Sequence, residues 1–281
     1  MACTTLIGTQ QLAEHLADPG WVLFDCRHDL AKPDAGAKAY ADAHLPGARF
    51  LHLDRDLAAP VTGTNGRHPL PDAQAFMRTL GAAGVDPGKQ VVAYDDKMGV
   101  YAARLWWMLR WLGHENVAVL DGGYAKWSRE GRALTGAVPQ PAPARFVGQA
   151  HALAAVDADD VLRSLGQPGR ILVDARAPDR YRGENETLDP VGGRIPGSLN
   201  RFFRDNLDAS GCFKPAAELR QAFATLLGGA AADTVVHSCG SGVSACHNLL
   251  AMEIAGLHGS RLYPGSWSEW CSDPGRPIAR G

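Results

Sequence analysis

Along this chain, short apolar runs alternate with longer amphipathic stretches. The runs at 171–173 and 235–237 are too short for helices and are followed by turn residues, so they read as buried parallel strands. Residues 21–24 and 91–94 repeat that pattern earlier in the chain. Between the runs, 10–16, 73–80, 157–165 and 216–227 carry apolar residues at helical spacing. Pro71 and Pro215 fall near the starts of two of these stretches, where a helix tolerates proline. Strands alternating with helices predict an α/β fold with parallel sheets flanked by helices. In such sheets functional loops follow the carboxyl ends of strands.

The pattern is written twice. Asp25-Cys26-Arg27 returns 149 residues later as Asp174-Ala175-Arg176, and His44-Leu45-Pro46-Gly47 returns after 150 as Arg194-Ile195-Pro196-Gly197. Pro71 with its helical pattern matches Pro215, 144 residues on. Val91-Val92-Ala93-Tyr94 and Gly123-Tyr124-Ala125-Lys126-Trp127 both recur at an offset of 143. Five matches in one order imply a tandem duplication. Pro139, Pro141 and Pro143 mark the junction, so the expected layout is a domain at 1–135, a proline-rich linker at 136–149 and a second domain at 150–281.

Composition narrows the function. The 281 residues are 46% hydrophobic and 21% charged, the make-up of a globular protein. With 28 basic against 30 acidic residues, there is no electrostatic footprint for nucleic acid or a membrane surface. No apolar run reaches the roughly 18 residues a membrane span needs. The N-terminus shows no secretory pattern, and the six cysteines contain no C-x-x-C pair. Reduced thiols in the cytoplasm, without a metal site, are therefore expected.

Chemistry concentrates after the run at 235–237. There Cys239-Gly240-Ser241-Gly242-Val243-Ser244 places a cysteine at a strand end, in a glycine loop, at a helix N-terminus. Inward-turned N–H groups and the helix dipole favour a thiolate and would hold an anionic sulfur species on it. Cys246, further into the helix, reads as core. In the first copy Asp96, Gly99 and Ala102 repeat the spacing of Cys239, Gly242 and Ala245. An aspartate cannot carry sulfur, so the first domain is expected to be catalytically inactive. A cysteine phosphatase is disfavoured, because Ala245 stands where its loop would end in arginine. A non-enzymatic module that hands persulfide sulfur to a protein partner is the other alternative.

Taken together, the tandem copies, the Asp-x-Arg and Pro-Gly turns and the loop at Cys239 resemble the two-domain sulfurtransferases, the rhodanese and 3-mercaptopyruvate sulfurtransferase family. The resemblance implies transfer from 3-mercaptopyruvate or thiosulfate to cyanide, a thiol or a thioredoxin-like protein through a Cys239 persulfide, with no cofactor. It implies that the amides of residues 240–244, among them Gly240, Gly242, Val243 and Ser244, hold the persulfide, and that Arg180 binds the donor anion, with Arg182 a second candidate. The uncharged Gly240 and Ser241 resemble the mercaptopyruvate branch, in which Ser241 relays a proton with Asp54 and His68 of the first domain. That branch carries a second arginine nine residues after the first; here the position is Asp189, with Arg194 nearby as a substitute.

Overall fold

The computed structural model describes residues 2–281. They form two compact units, each built on a parallel sheet. Among the described residues the first comprises 2–59, 70–151 and 210–212; the second comprises 60–69, 152–209 and 213–281.

The first unit contains β1 (Leu6–Ile7), α1 (Thr9–Ala13), β2 (Trp21–Asp25), α2 (Ala35–Asp42), β3 (Arg49–Phe50), α3 (Leu53–Asp56), α4 (Ala73–Ala82), β4 (Gln90–Tyr94), α5 (Val100–Trp111), β5 (Val117–Leu120) and α6 (Gly123–Arg129). Its sheet has the order β1-β5-β4-β2-β3. The second contains α7 (Ala158–Ser164), β6 (Ile171–Asp174), α8 (Pro178–Arg182), β7 (Leu199–Asn200), α9 (Ala216–Leu227), β8 (Val235–Ser238), α10 (Ser244–Ile254), β9 (Arg261–Leu262) and α11 (Ser266–Trp270). Its sheet runs β7-β6-β8-β9.

Parallel strands covered on both faces are rich in apolar residues, and the central strands are buried along their length. Every residue of β4 and of β8 is buried. Leu23, Val92, Leu120 and Trp127 pack together in the first unit. Leu172, Val236, Tyr263, Trp267 and Trp270 do so in the second. Helix ends follow local chemistry. The Asp72 carboxylate accepts the Ala75 N–H at the start of α4, and Asp157 forms a capping box with Asp160 at α7. At the far end of α9, Gly228 takes the left-handed conformation. The helix expected at 10–16 is shorter, because α1 gives way to turns after Ala13.

Two segments depart from the layout read in the sequence. The proline-rich stretch belongs to the first unit: the Ala144 and Gln149 N–H groups donate to the Gly81 and Leu112 carbonyls at 2.8 and 3.0 Å. Conversely, 60–69 leaves the first sequence copy and packs as a strap in the second unit. No described helix is long and apolar enough to cross a membrane.

Candidate active site at the end of the central strand

Strand β8 ends at Ser238, so Cys239 is the first residue past the sheet edge; it is buried. The opening of α11 fixes the backbone here. The Cys239 N–H donates to Ser266 Oγ at 3.0 Å, while the Cys239 and Gly240 carbonyls accept the Trp267 and Ser268 N–H groups at 3.0 and 2.9 Å. Gly242 has φ +74°, and any Cβ there would run into the Pro264 carbonyl. The sharp turn therefore requires glycine. The loop delivers the Ser241 N–H to Cys239 Sγ at 3.4 Å, and α10 starts immediately afterwards. Its dipole adds to the positive field at the sulfur. Cys246 lies within α10, buried, with its thiol donating to the Gly242 carbonyl.

The strap brings two further groups to this loop. His68 Nδ1 lies 2.7 Å from Ser241 Oγ, both residues being buried. Arg67, held through its N–H on Ser268 Oγ, sits over Gly240: a methyl group added there would be 2.8 Å from Arg67 Nη2 and 3.5 Å from Arg180 Nη2. The absence of a side chain at Gly240 thus leaves room for two guanidinium groups beside the cysteine. Arg67 was not singled out in the sequence; its segment has no periodic pattern, and only its place next to His68 hinted at it.

Arg180, on α8, donates to both oxygens of Glu186, at 2.8 Å and 2.9 Å from Nη2. Burial alone would push the Glu186 carboxyl up, but the Arg180 bonds and the Leu188 and Asp189 N–H groups hold it below its usual range. Asp189 Oδ1 accepts from Arg67 Nη1, while Oδ2 lies 3.6 Å from Arg180 Nη2 with no hydrogen-bond donor. Burial pushes the Asp189 carboxyl up, and Arg67 only partly offsets this. Arg176, from the Asp-x-Arg motif, is buried and forks onto Asp174, with its charge near Cys239.

The remaining candidates have these partners. Arg182 points outward into a half-exposed ion pair with Glu184. Arg194 stacks on Tyr181 and donates to the Gly281 carbonyl. Asp54 lies on α3 in the first unit, with its Oδ2 3.9 Å from His28 Nε2 and 4.0 Å from His52 Nδ1. These three side chains have the atoms of a metal-binding group, but His52 Nδ1 already accepts the Asp54 N–H.

The first unit shows what this loop shape holds. In β2 and β6, Asp25 pairs with Tyr94 and Asp174 with Ser238, so Asp95, not Asp96, occupies the register of Cys239. Glycine spacing and strand register differ by one residue across this loop. The buried Asp95 carboxylate accepts four N–H bonds, from Lys97, Gly99, Tyr101 and Ala102, at 2.7–2.9 Å. Burial raises its pKa and these bonds oppose the rise. The cradle is an anion site, and here the chain's own carboxylate fills it.

Comparison with known proteins agrees with this construction. The rhodanese-like domain family matches residues 8–130 and 157–273. The chain belongs to the rhodanese-like sulfurtransferases. Over the full length of both chains it is 49% identical to a probable 3-mercaptopyruvate sulfurtransferase of Pseudomonas aeruginosa. It is 34% identical to the bovine thiosulfate sulfurtransferase, over 94% of this chain and 91% of that one. Among solved structures, SseA of Escherichia coli, described as a 3-mercaptopyruvate sulfotransferase, superposes with a TM-score of 0.83 at 31% identity, covering 94% of this chain and 99% of its own. The rhodanese-like fold expected from the duplication is thus present in both halves, the first without a cysteine at the loop.

Proposed function

We propose that this protein moves a sulfur atom from 3-mercaptopyruvate to a thiophilic acceptor, such as cyanide or a thiol, through a persulfide on Cys239. In the first step the Cys239 thiolate attacks the donor sulfur and the donor C–S bond breaks. The proton leaving the donor thiol ends on the methyl group of pyruvate, and the cysteine carries the persulfide anion. In the second step the acceptor takes the outer sulfur and the thiolate returns. By register with the first unit, the amides of 241, 243 and 245 are the groups suited to that anion.

The observation that carries the choice of donor is the 2.7 Å contact between His68 Nδ1 and Ser241 Oγ, next to the sulfur. A donor thiol must lose a proton, and a serine backed by imidazole can pass it on. Thiosulfate needs no such relay. The test is kcat/KM for both donors with cyanide as acceptor, in the wild type and in Ser241→Ala. Mercaptopyruvate is expected to be preferred, and the variant is expected to lose about 10²-fold or more with it and much less with thiosulfate. Equal losses with both donors would remove the relay.

A further inference from the structure

Three guanidinium groups, Arg67, Arg176 and Arg180, converge near the cysteine loop in the second unit, and three carboxylates, Asp174, Glu186 and Asp189, neutralise them. The pairs are not equal. Arg176 is forked onto Asp174, and Arg180 onto Glu186. Asp189 is engaged through one oxygen only. Its other oxygen is buried, accepts no hydrogen bond and faces Arg180 from 3.6 Å. A buried carboxylate with an unsatisfied oxygen is costly to keep, so it is the member of the set most readily exchanged for another anion. It stands between the two arginines that flank Gly240.

We propose that Arg67 and Arg180 form the clamp for the donor's carboxylate, and that Asp189 is the resident counter-anion of that clamp, which selects a monoanionic donor against a dianion. Asp189 lies where the resemblance leads one to expect a second arginine. This chain inverts the charge at that position and supplies the second guanidinium from the strap instead. A carboxylate entering the clamp replaces Asp189 on Arg67, one monoanion for another. Thiosulfate would bring two charges against a carboxylate that remains in the same buried pocket, and like charges at that range repel strongly. The proposal rests on the donor reading given above and adds the residue that enforces it.

The experiment is the paired donor assay on the wild type and on Asp189→Asn, which keeps the shape and removes the charge. The variant is expected to gain on thiosulfate, its kcat/KM relative to mercaptopyruvate rising about tenfold or more. The gain is expected in the KM for thiosulfate. Loosening of the strap would impair both donors, so only loss of an opposing charge produces a gain with one. A donor ratio that Asp189→Asn leaves unchanged, or moves toward mercaptopyruvate, overturns the proposal whichever donor the wild type prefers. A wild type that prefers thiosulfate instead overturns the donor reading. Competition on the wild type needs no variant: pyruvate is expected to inhibit mercaptopyruvate turnover at concentrations where sulfate does not. Equal inhibition by the two anions would sink the counter-anion role.

Discussion

Cys239 depends on its neighbours for its chemistry. The Ser241 N–H reaches its sulfur, and Arg176 adds a buried positive charge nearby. Replacing Cys239 with serine keeps the loop but removes the atom that can bond to sulfur. Cys239→Ser should form no thiocyanate from either donor and show no mass gain of one sulfur atom after donor treatment. Thiocyanate formation by the variant at the wild-type rate would eliminate the persulfide route. At this scale the sequence was readable where a residue sat in a patterned context: a strand end, a glycine pair and a helix start singled out Cys239 and Ser241. Arg67 was not readable, because its segment has neither period nor motif and acquires meaning only by folding against the loop.

At the scale of elements, β8 has to be buried to its tip to aim Cys239, and one consequence is His237. Its ring is fully buried, with Nε2 against Met252 Sδ, and burial pushes its pKa down to about 3. The unfolded chain binds a proton here below about 6.5, while the folded strand refuses it until far lower pH. Stability is therefore fully present above that value and falls as the medium is acidified, by about 1.4 kcal/mol per pH unit from this group alone. His237→Leu should flatten that dependence, seen as a smaller difference between urea midpoints at pH 7 and pH 5. An unchanged slope would assign acid lability to other groups. The strands and α9 were legible because apolar runs and helical spacing dominate there. Elements such as α8, which positions Arg180, were not, since five residues give too little period and α8 buries none of its residues.

Across the whole molecule, the duplication explains why one fold appears with and without chemistry. Both units keep the strand, the tight loop and the following helix, and differ in what stands at the loop's first residue. In the first unit the Asp95 carboxylate is structural. Asparagine would leave a single acceptor oxygen for four N–H groups, so Asp95→Asn should destabilise that unit by about 2–4 kcal/mol. Thermal unfolding checks this, and an unchanged melting temperature would deny the carboxylate its role. The repeat was visible in five spaced matches, but the exchange of 60–69 was not, because chain order says nothing about which core a strap will join.

The filled loop and the reactive one also differ in their thermodynamics. Asp95 is a ligand that can never dissociate, so the order of its loop is independent of anything in solution. The loop at Cys239 carries no such carboxylate, and the proposed persulfide is the anion it would receive. By mass action, a donor that loads the cysteine more readily in the folded loop than in the unfolded chain would stabilise the second unit, and an acceptor that unloads it would withdraw that support.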